Sequence, residues 1–203
     1  MVEEETKMKP DETNPNLPSV DFTGKFNLVK LKEGREKDLW KIVCDLSAKN
    51  YNKKKPAGLL LVFGEFDKRD DGRVYGMLQV KSQNPVDTAI FVSDKKFTDR
   101  LYEMMQPPHD GAIIINHTGQ MIGGDIMLSI EDYEVSVSDE CGTRHVAAAS
   151  FSKRKDVYAT FTISEETYKA RKFKDGNEDD IFDPVLLEEK KKEKEENGGD
   201  EDE

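Results

Sequence analysis

The segment Pro108-His109-Asp110-Gly111-Ala112 combines a turn with side chains that handle metal ions and protons. Asp110 can bind a divalent cation or accept a proton from a hydroxyl group. His109 can bind a metal ion or donate a hydrogen bond. The small residues Gly111 and Ala112 would let a ligand approach the backbone closely. The same residues are turn formers, so a plain turn is the competing interpretation.

A second segment, Gly142-Thr143-Arg144-His145, precedes a run of small residues that predicts a helix. Backbone N–H groups and the Thr143 hydroxyl would then lie at a helix N-terminus, which attracts anions. Arg144 offers a planar pair of donors for phosphate oxygens, and His145 adds a further donor. An exposed Arg-His pair at the start of a helix is the competing interpretation.

A third group, Ser164-Glu165-Glu166, follows an alternating apolar pattern that predicts a strand. A hydroxyl and two carboxylates at the end of a strand suit contacts with a triphosphate and its metal ion. The alternative is a helix N-cap, with Ser164 as the capping residue and the acidic residues in the first turn.

Predicted strands and helices alternate around these three segments. This alternation indicates an α/β fold with a central mixed β-sheet flanked by helices in a single domain. Helices are expected from Gly34 to Asn50, from Ser93 or Asp94 to Met105, and from His145; strands are expected over 57–63, 74–80, 88–92, 112–115 and 156–163, with a bend at Gly123-Gly124 and extended residues over 127–137.

The composition divides the chain of 203 residues into a central domain and two acidic tails. Asp and Glu number 42 against 31 Lys and Arg, for a net charge of −11, and both ends are rich in polar and charged residues. Such ends bury too little apolar surface to offset the entropy of ordering. We therefore expect disorder over 1–20 and 175–203, a helical segment over 21–55 and the main domain over 56–174.

The same composition excludes several classes of partner. An acidic chain lacks the basic surface that duplex nucleic acid requires, and no apolar run reaches the roughly 20 residues that span a membrane. The two cysteines, Cys44 and Cys141, have no metal-type spacing and favour free thiols in the cytoplasm. A nucleotide site in so acidic a chain needs a local positive cluster and a divalent cation.

Taken together, the order and spacing of these segments from about Ala57 to Phe173 resemble the catalytic domain of the diadenylate cyclase family. The resemblance implies a DAC-type domain that condenses two ATP molecules into cyclic di-AMP and releases pyrophosphate. It also implies Mn²⁺ or Mg²⁺ as cofactor. Each domain would hold one ATP, so a homodimer or a larger assembly is implied, and the chain is similar to a stand-alone soluble member.

The resemblance also assigns roles to individual residues. Asp110 would position or deprotonate the attacking ribose 3′-hydroxyl. By the same resemblance the catalytic residues are Asp110, Arg144 and His145; the ATP-binding residues are Asp110, Gly111, Ala112, Thr143, Arg144, His145 and Ser164; the metal-binding residues are His109, Asp110, Glu165 and Glu166.

Val146 departs from the family pattern, which has a second Arg at this position. Three outcomes stay open: slow catalysis, compensation by Lys153 to Lys155 or by the basic segment 169–172, or a non-catalytic module that binds ATP without turning it over. An interaction protein that acts through its acidic tail is a further alternative.

Overall fold

The computed structural model describes residues 24–129 and 134–197. These residues form eight strands and four helices in one α/β domain, which confirms the predicted fold class. The elements are α1 (Gly24–Lys53), β1 (Leu59–Gly64), β2 (Leu78–Gln79), β3 (Ile90–Phe91), α2 (Phe97–Met104), β4 (Ala112–Asn116), β5 (Gln120–Met127), α3 (Thr143–Phe151), β6 (Val157–Ile163), β7 (Ala170–Lys174), β8 (Asn177–Phe182) and α4 (Pro184–Asn197).

All eight strands belong to one mixed sheet. Its order is β2-β5-β4-β1-β6-β7-β8, with β3 also paired to β5. β1 and β4 run parallel at the centre, and the other strand pairings among the described residues are antiparallel. The nearly continuous apolar runs of β1 and β4 fit this position, because both faces of a central strand are buried.

Side chains of the central strands alternate between two apolar cores, one on each face of the sheet. On one face, Leu61 and Phe63 of β1 pack with α1 and α2. On the other face, Val62 packs with Phe151 of α3. The helical residues buried on the first face are Leu39, Val43 and Leu46 of α1 and Phe97, Leu101 and Met104 of α2.

Helix α1 contains the predicted helix and extends beyond both of its predicted ends. The apolar stripe that predicted it, Leu39, Val43 and Leu46, is buried against the sheet. Trp40 stacks on Phe161 of β6 with ring centroids 6.2 Å apart. The C-terminal end of α1 is fixed beside β1, since the Asn50 side chain donates to the carbonyl of Ala57.

The predicted bend at Gly123-Gly124 is wrong, because both glycines lie inside β5. A Cβ on Gly123 would lie 2.6 Å from Val74, and one on Gly124 would lie 2.2 Å from Met104. The glycines therefore mark close packing on the two faces of the strand. The extended prediction over 127–137 holds only for Met127 at the end of β5 and for an isolated bridge at Ser136, and 130–133 lie outside the described residues.

The prediction of disorder from residue 175 is wrong for the described part of that segment. β8 adds to the sheet edge, and α4 follows it as far as Asn197. Cations on β7 compensate the acidic residues of β8: Arg171 pairs with Glu178 at 2.8 Å, and Lys172 pairs with Asp179 at 2.7 Å. The composition of the segment does not reveal this pairing. The predicted disorder over 1–20 lies outside the described residues.

Two smaller predictions also differ from the structure. Residues 74–80 contribute only β2 and an isolated bridge between Val74 and Lys68. Helix α2 begins at Phe97, and its N-cap is Lys96 rather than Ser93 or Asp94. The Asp94 carboxylate instead accepts the N–H of Phe91 at 2.7 Å, which closes a turn before the helix. Among the described residues no helix combines the length and apolarity needed to cross a membrane.

Candidate active site

The strand register brings the three sequence segments to one edge of the sheet. β1 and β4 are parallel, with Leu61 opposite Ile113. Gly58 and Gly111, which directly precede these two strands, therefore lie at the same edge. β6 is antiparallel to β1, with Leu59 opposite Ile163, so Ser164 follows at that edge as well. Residues far apart in the chain therefore meet because of how three central strands are paired.

Helix α3 brings the Gly-Thr-Arg-His segment to the same edge. A short turn joins α3 to β6, and the Thr160 hydroxyl of β6 donates to the carbonyl of Ala148 at 2.8 Å. The helix and the strand therefore pack against each other and run in opposite directions, which places the start of α3 near the end of β6. Gly142 is the N-cap in an extended conformation, with φ −82° and ψ −176°. The first amides of a helix lack a partner one turn earlier, and of these the N–H of His145 donates to the carbonyl of Gly142 at 3.0 Å.

Two adjoining cavities occupy this edge. The helix cavity, about 210 Å³, is lined by 142–145, Ser164, Glu165, Glu166 and Glu140. The strand-edge cavity, about 190 Å³, is lined by Pro56 to Gly58, Met104, Met105, Pro107, His109 to Gly111, Arg144 and Glu165. All the predicted site residues except Ala112 line one cavity or the other, whereas Ala112 is buried in β4.

An ion pair between Arg144 and Glu165 separates the two cavities. Nη2 of Arg144 donates to Oε1 of Glu165 at 2.8 Å, and both residues line both cavities. The pair lies over Gly58, where a Cβ would come within 1.9 Å of the guanidinium. Sequence reasoning missed Gly58, which gives Arg144 the space to reach this position. Its only signal was a glycine directly before the apolar run of β1.

Gly111 is needed for a reason that differs from the one the sequence suggested. Its φ of +106° lies in the region that favours glycine, and a Cβ would meet the backbone oxygen of Ile126 at 2.7 Å. Strand β5 therefore fills the space that we expected a ligand to use. Asp110, by contrast, is exposed at the mouth of the strand-edge cavity.

His145 is the most unusual polar residue of the site. Its side chain is 5% exposed, and neither ring nitrogen has a hydrogen-bond partner in the described part of the chain. Burial, together with the positive charges of Arg171 and Arg144, lowers the pKa of the imidazole to about 4. His145 is therefore neutral near pH 7, with one ring N–H to donate and one nitrogen to accept.

Arg171 of β7 supplies a buried positive charge beside His145. The Arg171 side chain is 1% exposed, its Nε donates to Glu178 at 2.8 Å, and its Nη2 donates to Glu140 on the wall of the helix cavity. Lys169 also pairs with Glu140 at 3.2 Å. The sequence indicated the basic segment 169–172 as a source of charge, but Lys153 to Lys155 follow the far end of α3 and lie away from this edge.

Ser164 caps a turn between β6 and β7. Its hydroxyl accepts the N–H of Glu166 at 3.3 Å and that of Thr167 at 3.2 Å. The Ser164 hydroxyl makes the bonds expected of an N-cap, but no helix follows in this described segment. The helix N-cap interpretation is therefore wrong. The turn holds Glu166 on the wall of the helix cavity.

The four predicted metal ligands do not form one cluster. Among the described residues, no group of three or more His, Cys, Asp or Glu side chains is placed to hold a metal ion. His109 and Asp110 line the strand-edge cavity, and Glu166 lines the helix cavity. The donors present fit an ion that arrives with a nucleotide, because Mg²⁺ is commonly held by one or two carboxylates and substrate phosphates.

A larger cavity lies elsewhere, beside the start of α2. It measures about 510 Å³ and is lined by Val86 to Ile90, Asp94 to Lys96 and Arg100. None of the three sequence segments contributes to it. The chemistry of the residues, rather than the volume, therefore identifies the candidate site.

Comparison with known proteins concerns the domain as a whole rather than its individual site residues. A family model described as "DAC: DisA bacterial checkpoint controller nucleotide-binding" matches residues 46–178, well over half of the chain. No curated protein sequence matches the chain significantly.

Two solved structures are similar to the chain. One, described as a hypothetical membrane spanning protein from Bacillus cereus, is 20% identical with a TM-score of 0.49 and covers 72% of this chain. The chain spans 61% of the length of that protein. The other is a double-cysteine variant of DacA from Staphylococcus aureus, 26% identical with a TM-score of 0.46, and the match covers 77% of this chain and 97% of that one.

Proposed function

The chain belongs to the DAC family of nucleotide-binding domains, and we propose that it is a diadenylate cyclase that condenses two ATP molecules into cyclic di-AMP. The O3′ oxygen of one ATP attacks the α-phosphorus of the other, the bond to the β-phosphate oxygen breaks, and pyrophosphate leaves. A second, reciprocal attack closes the ring and releases a second pyrophosphate. Such chemistry depends on in-line positioning and charge neutralisation.

The observation that carries this proposal is His145 beside Arg144 at the start of α3, a buried ring without a hydrogen-bond partner among residues 24–129 and 134–197. A buried polar group without a partner costs about 1–3 kcal/mol, so a ligand that supplies the partner binds with that gain. Phosphate oxygens accept from the ring N–H of His145, from the Arg144 guanidinium and from the first amides of the helix. The Thr143 hydroxyl and Ser164 border the same cavity.

Asp110 is the residue we assign to the attacking hydroxyl. It is exposed in the strand-edge cavity, which shares the Arg144–Glu165 pair with the helix cavity. A carboxylate here orients the 3′-hydroxyl and takes its proton as O3′ attacks. The α-phosphate would lie between the two cavities, where Arg144 reaches both.

Mn²⁺ or Mg²⁺, held by the triphosphate together with His109, Asp110 and the nearby glutamates, would neutralise the charge that develops on the phosphates. The wall of the helix cavity carries Glu140, Glu165 and Glu166, and Glu140 pairs with Arg171 and Lys169. Glu165 already pairs with Arg144, which leaves Glu166 as the carboxylate for the ion on this side.

Val146 replaces the second Arg of the family pattern, and we propose that Arg171 partly compensates for the missing charge. Its buried guanidinium lies beside His145 and contacts Glu140, so it adds positive charge behind the helix cavity. Nε and Nη2 of Arg171 already donate to Glu178 and Glu140, so we expect its charge to act over a distance. Turnover with reduced rate is the outcome we expect.

Self-association is part of the proposal, because each domain holds one ATP. A patch of exposed apolar residues at the β2–β5 edge supports it: Leu78 is 62% exposed, Val80 42% and Met127 53%. Leu78 and Met127 are cross-strand partners, and Val80 shares a face with Leu78 by alternation. A second copy of the chain that covers this patch would place two sites close together. The two free cysteines fit our further proposal of a cytoplasmic location.

The proposal is tested by incubating the full chain with ATP and Mn²⁺ and measuring cyclic di-AMP by mass spectrometry. Asp110→Asn should abolish the product, and the control Asp70→Asn, in an exposed turn, should keep it. ATP binding without product would favour the non-catalytic module and would attribute the loss to Val146. If no nucleotide bound with either metal, the proposal would fail and an interaction role for the acidic C-terminal segment would be favoured.

A further inference from the structure

Asp125 is a buried carboxylate directly beside the His-Asp-Gly-Ala segment. It lies in β5, is 2% exposed and has a φ of +54°. A left-handed conformation is uncommon for a residue other than glycine, and a buried carboxylate is costly unless it is paired. Two unfavourable features at one residue next to a candidate site indicate that its side chain has a task there.

Three donors surround the Asp125 carboxylate. The backbone N–H of Asp110 donates to Oδ1 at 2.9 Å, and the Lys81 ammonium lies 3.3 Å from Oδ2. Nδ1 of His109 lies 3.3 Å from both oxygens. The ammonium group and the amide N–H are donors, and an ionised carboxylate can only accept hydrogen bonds.

This arrangement determines which nitrogen of His109 carries the proton. Because the ionised carboxylate accepts only, Nδ1 must be the donor, and in a neutral ring Nε2 then keeps its lone pair. In the described part of the chain His109 makes its side-chain hydrogen bonds through Nδ1, and its ring lines the strand-edge cavity. Nε2 is the nitrogen left for that cavity.

We propose that Asp125 is a positioning residue that fixes His109 in the Nδ1–H tautomer and presents the unprotonated Nε2 to the divalent cation of a bound nucleotide. The same carboxylate holds the backbone of Asp110, so one side chain orients both residues of the segment. Carboxylate–histidine–metal arrangements of this kind fix the ring and raise the basicity of the ligating nitrogen. The metal part of the proposal rests on the proposed function, whereas the tautomer does not.

Nuclear magnetic resonance of the ¹⁵N-histidine-labelled full chain tests the tautomer directly. The chain has three histidines, so His109→Gln identifies the signals of His109. At about pH 9, well above the usual histidine pKa of about 6.5, His109 should carry its proton on Nδ1. Asp125→Gly removes the carboxylate, and glycine accepts the backbone conformation without strain. His109 should then shift to the Nε2–H form that an unconstrained imidazole favours.

Lys81→Met is the matched control, because it removes a partner of Asp125 but leaves the contact with His109 intact. This variant should keep the Nδ1–H tautomer. An Nε2–H tautomer in the wild-type chain, or an unchanged tautomer in Asp125→Gly, would overturn the proposal whether or not the chain makes cyclic di-AMP. Thermal unfolding shows in parallel that each variant is folded.

A second measurement tests the metal. Mn²⁺ affinity in the presence of saturating ATP, followed by electron paramagnetic resonance, should fall about 10- to 100-fold in Asp125→Gly. His109→Gln should cause a loss of similar size, and combining the two changes should add little. Equal Mn²⁺ affinity in Asp125→Gly and the wild-type chain would refute the metal-presenting role and leave Asp125 as a structural residue.

Discussion

Gly58→Ala is the change that separates nucleotide binding from folding most cleanly. A Cβ at this position would lie 1.9 Å from Nη1 of Arg144 and 2.5 Å from Oε1 of Glu165. Both atoms are the ends of flexible side chains, so they can retreat while the backbone stays in place. To reach an ordinary contact of 3.4 Å, the guanidinium must move by about 1.5 Å, the difference between 3.4 and 1.9 Å.

The expected effect on stability is small. The side chains of Arg144 and Glu165 are 37% and 52% exposed, and an ion pair with that exposure contributes about 0–1 kcal/mol. Alanine in an ordinary backbone conformation restricts the unfolded chain and returns about 0.4–1 kcal/mol. The two effects nearly cancel, so the free energy of unfolding should change by less than about 1 kcal/mol.

The expected effect on ATP binding is large. A displaced Arg144 loses a charge-assisted hydrogen bond to phosphate, which contributes about 1.5–3 kcal/mol. That loss corresponds to a roughly 10- to 150-fold weaker affinity. Isothermal titration calorimetry with ATP and Mn²⁺ measures the affinity, and urea unfolding measures the stability of the same samples.

Gly34→Ala is the matched control for this experiment. It makes the same substitution on α1, where a Cβ would have no atom of the described residues within 4 Å. This variant should be stabilised by up to about 1 kcal/mol and bind ATP as the wild-type chain does. The reasoning is refuted if Gly58→Ala binds ATP with unchanged affinity, or if it loses several kcal/mol of stability.

Three further predictions follow from the geometry of the site. Gly111→Ala should lose more than about 2 kcal/mol in urea unfolding, because its Cβ would meet the backbone of β5; a loss below about 1 kcal/mol would contradict this. The folded pKa of His145 lies near 4, below the usual value of about 6.5, so protonation of this residue favours the unfolded chain. The free energy of unfolding should therefore keep its full value above about pH 6.5 and fall by up to about 3 kcal/mol as the pH falls to about 4. His145→Gln should lack that part of the pH dependence in parallel unfolding curves, and identical slopes would contradict the assignment. Arg171→Met should raise the pKa of His145 in a histidine titration by nuclear magnetic resonance, since a buried positive charge is removed, and an unchanged pKa would show that Arg171 does not act on His145.

Periodicity and punctuation in the sequence were enough to predict the central elements. The apolar runs that became β1 and β4 are nearly continuous, as central strands require, and the stripe of Leu39, Val43 and Leu46 predicted the buried face of α1. The turn before β4 was found, and the start of α3, predicted at His145 and observed at Thr143, was found to within two residues, because small and polar residues have strong local preferences.

The remaining elements depend on pairing that local preference does not encode. β7 and β8 are too charged to read as strands alone, and they form because Arg171 and Lys172 meet Glu178 and Asp179 across the ladder. The sequence analysis did not single out Asp125, which follows two glycines. Its significance follows from the β4–β5 pairing, which places its carboxylate against the backbone of Asp110.

The predicted site residues share an edge because of strand pairing, yet their roles stay predictions. Two features of the site could not be foreseen from residue types. Gly111 accommodates β5 rather than a ligand, and His145 is buried without a partner instead of lying exposed at the helix start. Both features arise from packing between elements that are distant in sequence.

The measurement that tests the central claim most directly compares ATP with 3′-deoxy-ATP as substrates for the purified full chain in Mn²⁺, with products identified by mass spectrometry. We predict cyclic di-AMP and two pyrophosphates per product from ATP. From 3′-deoxy-ATP, which lacks the attacking oxygen, we predict binding without any cyclic product. Absence of cyclic di-AMP from ATP, under conditions where ATP demonstrably binds, would contradict the account.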